Sequence, residues 1–204
     1  MPTMTSPSSL PIEPSPRQTR ASAIRFFFEL LQVLAISLVI IIPIRYFLIQ
    51  PFYVRGASME PNFFDHEYLI IDELSYRFRE PERGEIVVFK YPRDPSQYFI
   101  KRVIGLPGDT VEIADGKLKI YNKEHPNGVP LDETMYLDQD QTVPSKTATL
   151  KDNEYFLLGD NRAASLDSRV FGPVDRSYIV GKVFVRGYPI DRWKHFTPPE
   201  YPNL

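Results

Sequence analysis

The chain has 204 residues, enough for one ordinary domain and an appended segment. Hydrophobic residues make up 43% of it, a normal share for a packed protein, which excludes wholesale disorder. The absence of cysteine excludes disulfides, thiolate metal sites and a cysteine nucleophile, and it suits an oxidising compartment. The net charge of −2 argues against binding to a phosphate backbone, so no nucleic-acid partner is expected.

The chain starts with a polar stretch that is followed by a long apolar one. Residues 1–22 are rich in Pro, Ser and Thr, which predicts a disordered tail. We predict a transmembrane helix over residues 23–50, because no charge interrupts 30–44 and some 20 apolar residues span a bilayer. A buried core helix and a cleavable signal peptide are the alternatives.

Charge sets the predicted orientation of this span. Three arginines lie before its uncharged stretch 30–44 (Arg17, Arg20 and Arg25). Basic residues flanking a span stay on the cytoplasmic side of the membrane. We therefore expect a single-pass protein of the cell membrane, with a cytoplasmic N-terminus and everything after the span on the far side.

The remaining chain has the pattern of a β-protein. Residues 51–190 contain short β-branched and aromatic runs separated by Gly, Pro, Asp and Asn, and they predict a β-rich domain. Asp115-Gly116 is the pair expected in a two-residue hairpin. Residues from about 122 to 150 are polar and are predicted to form an excursion, and 191–204 an irregular C-terminal tail. The runs are "EYLIIDEL", "GEIVVFKY", "QYFIKRVIGL", "DTVEIADGKLKIY", "NEYFLLGD" and "YIVGKVFVRGY".

Candidates for a nucleophile and a base occur in separate stretches of the sequence. The stretch "VRGASMEPNF" contains Ser58, which is either an ordinary turn residue or a nucleophile that requires a base. The three histidines lie far apart and lack ligand spacing, so neither a metal ion nor another cofactor is expected. A lysine whose pKa is lowered by burial could be the base. Lys101 in "YFIKRVIG" shares a strand face with apolar residues, and Lys182 in "IVGKVFV" does so equally.

A third stretch, "LGDNRAASLDSRVFGPV", is crowded with turn formers and hydrogen-bonding side chains. Asp160 with Arg162, or Asp167 with Arg169, could lock a loop through charged hydrogen bonds. A hydroxyl such as that of Ser165 could hold a buried lysine in place. A rigid polar turn without a catalytic role is the alternative.

Four blocks in order resemble the type I signal peptidases, the bacterial leader peptidases. The blocks are "GASMEP", "RGEIVVF", "FIKRVIGLPGD" and "GDNRAASLDSRVFGPV", and the resemblance covers about residues 25–186. It implies a membrane-anchored serine protease with a mostly β fold: an antiparallel two-sheet catalytic domain after one N-terminal transmembrane helix. Its implied partners are the signal sequences of secretory preproteins and the lipid bilayer, and we expect it to act as a monomer.

The resemblance also implies residue roles. Ser58 matches the nucleophile, and Lys101, rather than Lys182, matches the general base. The residues that orient the lysine or brace the site would be Ser165, Asp160, Asn161, Arg162, Asp167 and Arg169. Those that wall two shallow apolar substrate pockets would be Phe52, Val54, Met59, Phe63, Phe99 and Ile100.

Some positions depart from the family pattern. Gly56 stands where the family commonly has a hydroxyl that contributes to the oxyanion hole, and Asn62 replaces a usual threonine. Ala163 and Ala164 stand where polar residues are common. A catalytically weak or inactive membrane-anchored β-domain that binds exported peptides is therefore an alternative. A cytoplasmic self-cleaving repressor with a similar dyad is another, but it would need a DNA-binding helix-turn-helix where the apolar stretch lies.

Overall fold

The computed structural model describes residues 16–43, 50–137 and 141–204, and it divides the chain into two compact units, Met1–Ile44 and Arg45–Leu204. Helix α1 (Pro16–Pro43) forms the first unit. Its stretch Arg25–Ile42 is long and apolar enough to cross a membrane, and none of its side chains is buried. The helix differs in position from the predicted 23–50. It already includes 16–22, and the chain at Gln50 is in a strand; the rest of the predicted tail, 1–15, and residues 44–49 lie outside the described residues.

The second unit is mostly β, as predicted. Its helix α2 (Ser168–Phe171) is a single turn. Its strands in chain order are β1 (Gln50–Tyr53), β2 (Tyr68–Asp72), β3 (Ile86–Tyr91), β4 (Asp94–Gly105), β5 (Thr110–Ala114), β6 (Lys117–Tyr121), β7 (Val129–Pro130), β8 (Lys146–Thr149), β9 (Glu154–Leu158), β10 (Val174–Asp175), β11 (Ile179–Tyr188) and β12 (Lys194–His195).

The strands form two antiparallel sheets. The larger has the order β1-β2-β11-β3-β4-β9-β10, with β12 added to β11, and the smaller has the order β7-β6-β5-β8. The predicted hairpin joins β5 and β6: Asp115 and Gly116 have φ of 51° and 77°, as a turn with two left-handed residues requires. Strands β7 and β8 come from the predicted excursion, which therefore supplies both edges of the smaller sheet.

Alternation of buried and exposed residues along the strands places the core. In β5 and β6 every second residue is buried, and Val111 and Ile120 pack with Phe156 of the larger sheet. The predicted irregular tail also contributes, because β12 pairs with β11 and the Phe196 ring lies 4.5 Å from the ring of Phe63. The tail is therefore an ordered part of the second unit.

One feature of the larger sheet creates a cleft. Strand β4 pairs with β3 along residues 98–102, but it pairs with β9 only from Arg102 onward. Residues 97–101 thus have one edge without a partner strand in the part of the chain that the structure describes. The Phe52 ring of β1 lies 5.3 Å from the Tyr98 ring of β4, so the first strand of the sheet faces this free edge.

Candidate active site

Ser58 lies in the turn between β1 and β2. The turn is closed at its base by the Val54 N–H, which donates to the Glu67 carbonyl at 2.9 Å. The Ser58 carbonyl accepts a hydrogen bond of 3.1 Å from the Asn161 N–H. A contact 103 residues away in sequence therefore fixes the backbone that carries the hydroxyl.

Lys101 lies on β4, directly opposite Val87 of β3. Its side chain is 3% exposed. The Nζ atom lies 2.7 Å from the Ser58 Oγ and 2.8 Å from the Ile100 carbonyl oxygen, and 5.5 Å above the centre of the Phe99 ring. The amine is therefore enclosed by the sheet and in direct contact with the hydroxyl.

Burial has an electrostatic consequence for this amine. It lowers the pKa of Lys101 from its ordinary 10.5 to about 8. The Asp167 and Asp160 carboxylates act in the opposite direction, and the Arg169 guanidinium adds to the lowering. Part of the Lys101 amine is therefore unprotonated near neutral pH. A general base acts in its unprotonated form.

Lys182, the other candidate, is in a different environment. Its side chain is 24% exposed and its Nζ faces Glu85 Oε1 at 3.7 Å. On β11 it lies opposite Asp72 and Val87, not beside Ser58. Spacing alone left the two lysines equivalent, and burial distinguishes them.

The loop after β9 packs on the back of the turn that carries Ser58. A side chain at Gly159 would come within 2.5 Å of the Ser58 carbonyl oxygen, so only glycine permits this approach. The Asn161 side chain accepts a hydrogen bond of 3.2 Å from the Ala164 N–H and caps the short turn that follows. Gly159 and Asn161 thus hold the loop against Ser58.

The acidic and basic residues of this loop pair differently from the sequence expectation. Asp160 does not pair with Arg162. It accepts two hydrogen bonds from Arg102, of 2.8 and 2.7 Å, and one of 2.8 Å from the Asn62 amide. The reason is geometric: Arg102 follows Lys101 on β4 and points to the opposite face, where Asp160 lies. Arg102 and Asn62 were not identified as site residues from their local patterns.

Arg162 instead forms a buried ion pair with Glu133. Its two amino groups donate to the Glu133 carboxylate at 2.8 and 2.5 Å, and its Nε donates to the Gly159 carbonyl at 3.1 Å. It also donates to the Thr142 hydroxyl. Glu133 and Thr142 belong to the polar excursion, whose connection to the site has no sequence signal.

Asp167 and Arg169 form the expected ion pair. The carboxylate is fully buried and accepts two side-chain hydrogen bonds of 2.8 Å from Arg169 and one of 3.1 Å from the Gly159 N–H. Burial acts to raise the pKa of Asp167, but the hydrogen bonds and charge of Arg169 outweigh it and hold that pKa below its usual value. Arg169 also donates to the Arg162 carbonyl at 2.7 Å, which ties the two ends of the loop together.

Ser165 belongs to the same loop, but its hydroxyl makes no hydrogen bond to Lys101. Its Oγ is buried and makes no hydrogen bond that meets normal geometry among the described residues, although it is near enough to Asp167 to help lower the pKa of that carboxyl. A role in orienting Lys101 stays a prediction.

Gly56 has a conformation that explains the residue type. Its φ is +84°, in the left-handed region, and its N–H donates to the Asp65 carboxylate at 3.0 Å. A side chain added here would meet no atom within 4 Å. Among the described residues, the Ser58 N–H has no acceptor, so it is available to a ligand.

A cleft of about 510 Å³ leads to Ser58 and Lys101. Four of the six predicted substrate-pocket residues line it, namely Phe52, Val54, Phe99 and Ile100. Met59 and Phe63 do not line it; they are buried at 1% and 0% exposure in the core beneath. The predicted list omitted Leu69, Val88, Ala164 and Leu166, which also line the cleft.

The part of the chain that the structure describes has no group of three His, Asp or Glu placed to hold a metal ion. The chemistry available at the cleft is that of a hydroxyl, a buried amine and a backbone N–H. Such groups can run acyl transfer without a metal ion.

Comparisons with known proteins identify the family to which the chain is similar. A family model described as "Signal peptidase, peptidase S26" matches residues 27–188. A probable signal peptidase I-2 of Synechocystis sp. is 38% identical over 81% of this chain and 75% of its own. A signal peptidase I of Leptolyngbya laminosa is 34% identical over 95% and 94%, and a signal peptidase IB of Staphylococcus aureus is 33% identical over 82% and 92%. A crystal structure of a signal peptidase I from Enterococcus faecalis V583 is 35% identical, covers 52% of this chain and 97% of its own, and has a TM-score of 0.42.

These matches define the class of the protein as a serine endopeptidase. Within that class, the chain belongs to the signal peptidase family, peptidase S26, whose members remove signal peptides from preproteins.

Proposed function

We propose that this protein is a membrane-anchored endopeptidase in which Ser58 is the nucleophile and Lys101 the general base, and that it removes N-terminal signal peptides from exported preproteins. The observation that carries the proposal is the 2.7 Å contact between the Ser58 Oγ and a lysine amine that is 3% exposed. A hydroxyl at its free pKa is a weak nucleophile, so an adjacent unprotonated base is what activates it.

The contacts of Lys101 suit the neutral amine. A neutral amine has two N–H groups and one lone pair, so it can donate to the Ile100 carbonyl while its lone pair accepts the Ser58 O–H. As Ser58 attacks the scissile carbonyl, its proton passes to Lys101, which then gives a proton to the leaving amine. The same lysine activates the water that hydrolyses the acyl-enzyme.

The developing oxyanion needs hydrogen-bond donors. The Ser58 N–H is a suitable donor because it has no acceptor among the described residues. Gly56 supplies no hydroxyl, and loss of one oxyanion donor costs about 3 kcal/mol of transition-state stabilisation. We therefore expect a catalytic rate below that of a variant with a productive hydroxyl at this position.

The substrate binds as an extended strand in the cleft. The edge of β4 over residues 97–101 has no partner strand among the described residues, so a substrate strand can add there by main-chain hydrogen bonds. The apolar walls at Phe52, Val54 and Ile100 favour small residues before the cut, as signal sequences carry there.

Helix α1 anchors the protein in the cell membrane in a single pass. We propose that the N-terminus is cytoplasmic and that the β-rich peptidase domain, residues 51–190, acts on the far side as a monomer. Anchoring confines enzyme and preprotein to one plane and raises their effective concentration. A reporter that is active only in the cytoplasm, fused to the C-terminus, should be silent; an active fusion would refute this orientation.

Cleavage of a preprotein by the purified full chain tests the catalytic proposal. Ser58→Ala and Lys101→Met should each lower kcat by a factor on the order of 10⁴ or more, because the two groups act as a unit. Lys182→Met is the matched control, since it removes a lysine from a similar apolar pattern away from the cleft, and it should cleave normally. Substantial activity in either dyad variant would refute the dyad. Preprotein binding without cleavage by the wild type would favour the non-catalytic alternative.

A further inference from the structure

We propose that Glu133, in the excursion between β7 and β8, is a positioning residue for the dyad and acts through Arg162. The inference rests on the proposed function and adds a residue far from the four blocks that carry the family resemblance. It starts from a buried ion pair that reaches from the excursion to the loop behind Ser58.

The pair is fully enclosed. Glu133 is 4% exposed and Arg162 is 7% exposed, and two hydrogen bonds of 2.8 and 2.5 Å join their charged groups. A parallel pair of hydrogen bonds fixes the plane of the guanidinium as well as its distance. The Tyr136 hydroxyl donates to the same carboxylate at 2.7 Å, so Glu133 is itself held in one orientation.

The guanidinium passes this constraint to the catalytic loop. With its plane fixed by Glu133, Arg162 directs its Nε to the Gly159 carbonyl at 3.1 Å. Gly159 packs against the Ser58 carbonyl oxygen. The N–H of Asn161, two residues further on, donates a hydrogen bond to that oxygen. The side chain of Arg162 and the backbone of residues 159–161 thus connect Glu133 with Ser58.

The other end of the loop is controlled from the same point. The Arg162 carbonyl accepts a hydrogen bond of 2.7 Å from Arg169, which pairs with Asp167. Asp167 and Arg169 are two of the charges that set the pKa of Lys101. A shift of Arg162 would therefore disturb the nucleophile turn and the surroundings of the base together.

A second contact from the excursion supports the same role. The Arg102 guanidinium lies 3.9 Å from the centre of the Tyr136 ring. The backbone carbonyl of Tyr136 accepts a hydrogen bond of 2.9 Å from the Asn62 side-chain amide. Arg102 and Asn62 hold Asp160, the neighbour of Gly159. The excursion thus braces both faces of the catalytic loop, and Glu133 provides its only direct ion pair to that loop among the described residues.

Glu133→Gln tests the proposal because it keeps the shape and removes the charge. We expect kcat for preprotein cleavage to fall about 10- to 100-fold, with KM changed less than threefold, since Glu133 and Arg162 fix the backbone behind Ser58 and do not themselves line the cleft. Arg162→Gln should cause a comparable loss. The double variant should lose no more than Arg162→Gln alone, because Glu133 has no route to the dyad once Arg162 is gone.

Matched controls separate positioning from folding. Glu154→Gln makes the same change at a carboxylate paired with the exposed Lys151, and it should leave kcat and the melting temperature unchanged. Cleavage is compared only for variants with native circular dichroism. If Glu133→Gln does not fold, Thr142→Val replaces it, because it removes another acceptor of Arg162 at similar volume; about a threefold to tenfold loss in kcat is expected.

The outcomes are distinct from those for the proposed function, which fails if the wild type does not cleave or if Ser58→Ala still does. Given cleavage that depends on Ser58, a wild-type kcat in folded Glu133→Gln would overturn the positioning role. So would losses that multiply in the double variant, because two residues on one path cannot act independently.

Discussion

The Nζ atom of Lys101 lies 2.7 Å from the Oγ of Ser58, although 43 residues separate them in the sequence. Two features of the fold produce this contact. Pairing of β4 with β3 places Lys101 in the sheet opposite Val87, and the Asn161 N–H fixes the Ser58 backbone from the other side. The contact therefore depends on four separated stretches of chain, which are the four blocks that carry the family resemblance.

Burial of Lys101 predicts a pH-dependent stability. Its folded-state pKa is about 8, against an ordinary 10.5, so the folded chain binds its proton less tightly than the unfolded chain. Below pH 8 both states are protonated and the cost of the buried charge is fully present. Stability should rise as the pH increases from 8 to 10.5, by roughly 3 kcal/mol from this group.

Denaturant unfolding at several pH values measures this rise. Lys101→Met serves as the reference because a methionine of similar length has no proton to lose. The wild type should gain stability relative to Lys101→Met between pH 8 and 10.5. Parallel curves for the two proteins would mean that the amine is not buried.

Gly56 predicts a difference between two substitutions. Gly56→Ser and Gly56→Ala should both lose about 1 to 2 kcal/mol of stability, since each puts a side chain at a φ of +84°. A side chain there meets no atom within 4 Å, so neither variant should clash. If the serine hydroxyl reaches the oxyanion, kcat for Gly56→Ser should exceed that for Gly56→Ala about tenfold. Equal kcat values at equal stability would show that this position does not contribute a donor.

Asp167→Asn should destabilise the protein by about 3 to 5 kcal/mol, because it leaves the charge of Arg169 buried without its partner. The folded-state pKa of Asp167 is lowered, so its stabilising contribution is present above the ordinary pKa and is lost as the pH falls through the folded value. Acid unfolding of the wild type should show this loss. Asp167→Asn should lack this pH-dependent contribution to stability. A variant as stable as the wild type would contradict the role of the buried ion pair.

Ile100→Ala should change which residue is accepted before the cut. Ile100 lines the cleft and packs on the core, so its truncation widens the apolar wall. The ratio of kcat/KM for preproteins with leucine before the cut to kcat/KM for those with alanine there should be at least about tenfold higher in Ile100→Ala than in the wild type. Ile190→Ala is the control, since Ile190 is 80% exposed and does not line the cleft. An unchanged preference in Ile100→Ala would remove this residue from the substrate wall.

Much of the fold is readable in the sequence, because alternation has a direct physical cause. Every second residue is buried in β5 and β6, and four consecutive residues are buried in β3 and β9, so the predicted runs mark the strands from β2 to β6, β9 and β11. Strand β8 was missed because "KTAT" is an edge strand with short polar side chains. Strand β1 was missed because its aromatic residues resemble the end of a membrane span.

The site is less readable, since spacing does not distinguish a buried side chain from one that lines a cleft. Met59 and Phe63 follow Ser58 closely in sequence, yet both lie in the core. Glu133 and Arg102 brace the loop through contacts across 29 and 58 residues, and such contacts have no local pattern. Asp160 with Arg162 and Asp167 with Arg169 have the same spacing of two residues, yet only the second pair forms, because Asp160 and Arg162 each have a partner from another part of the chain.

The central claim is that burial lowers the pKa of Lys101 far enough for part of it to be the neutral amine near neutral pH. Direct titration of its side chain by nuclear magnetic resonance, with ¹³C-labelled lysine and Lys101→Met for assignment, tests this without a substrate. The account predicts a midpoint of about 8. A midpoint near the ordinary lysine value of about 10.4 would contradict it, because the amine would then be a cation in solvent and not a base for Ser58.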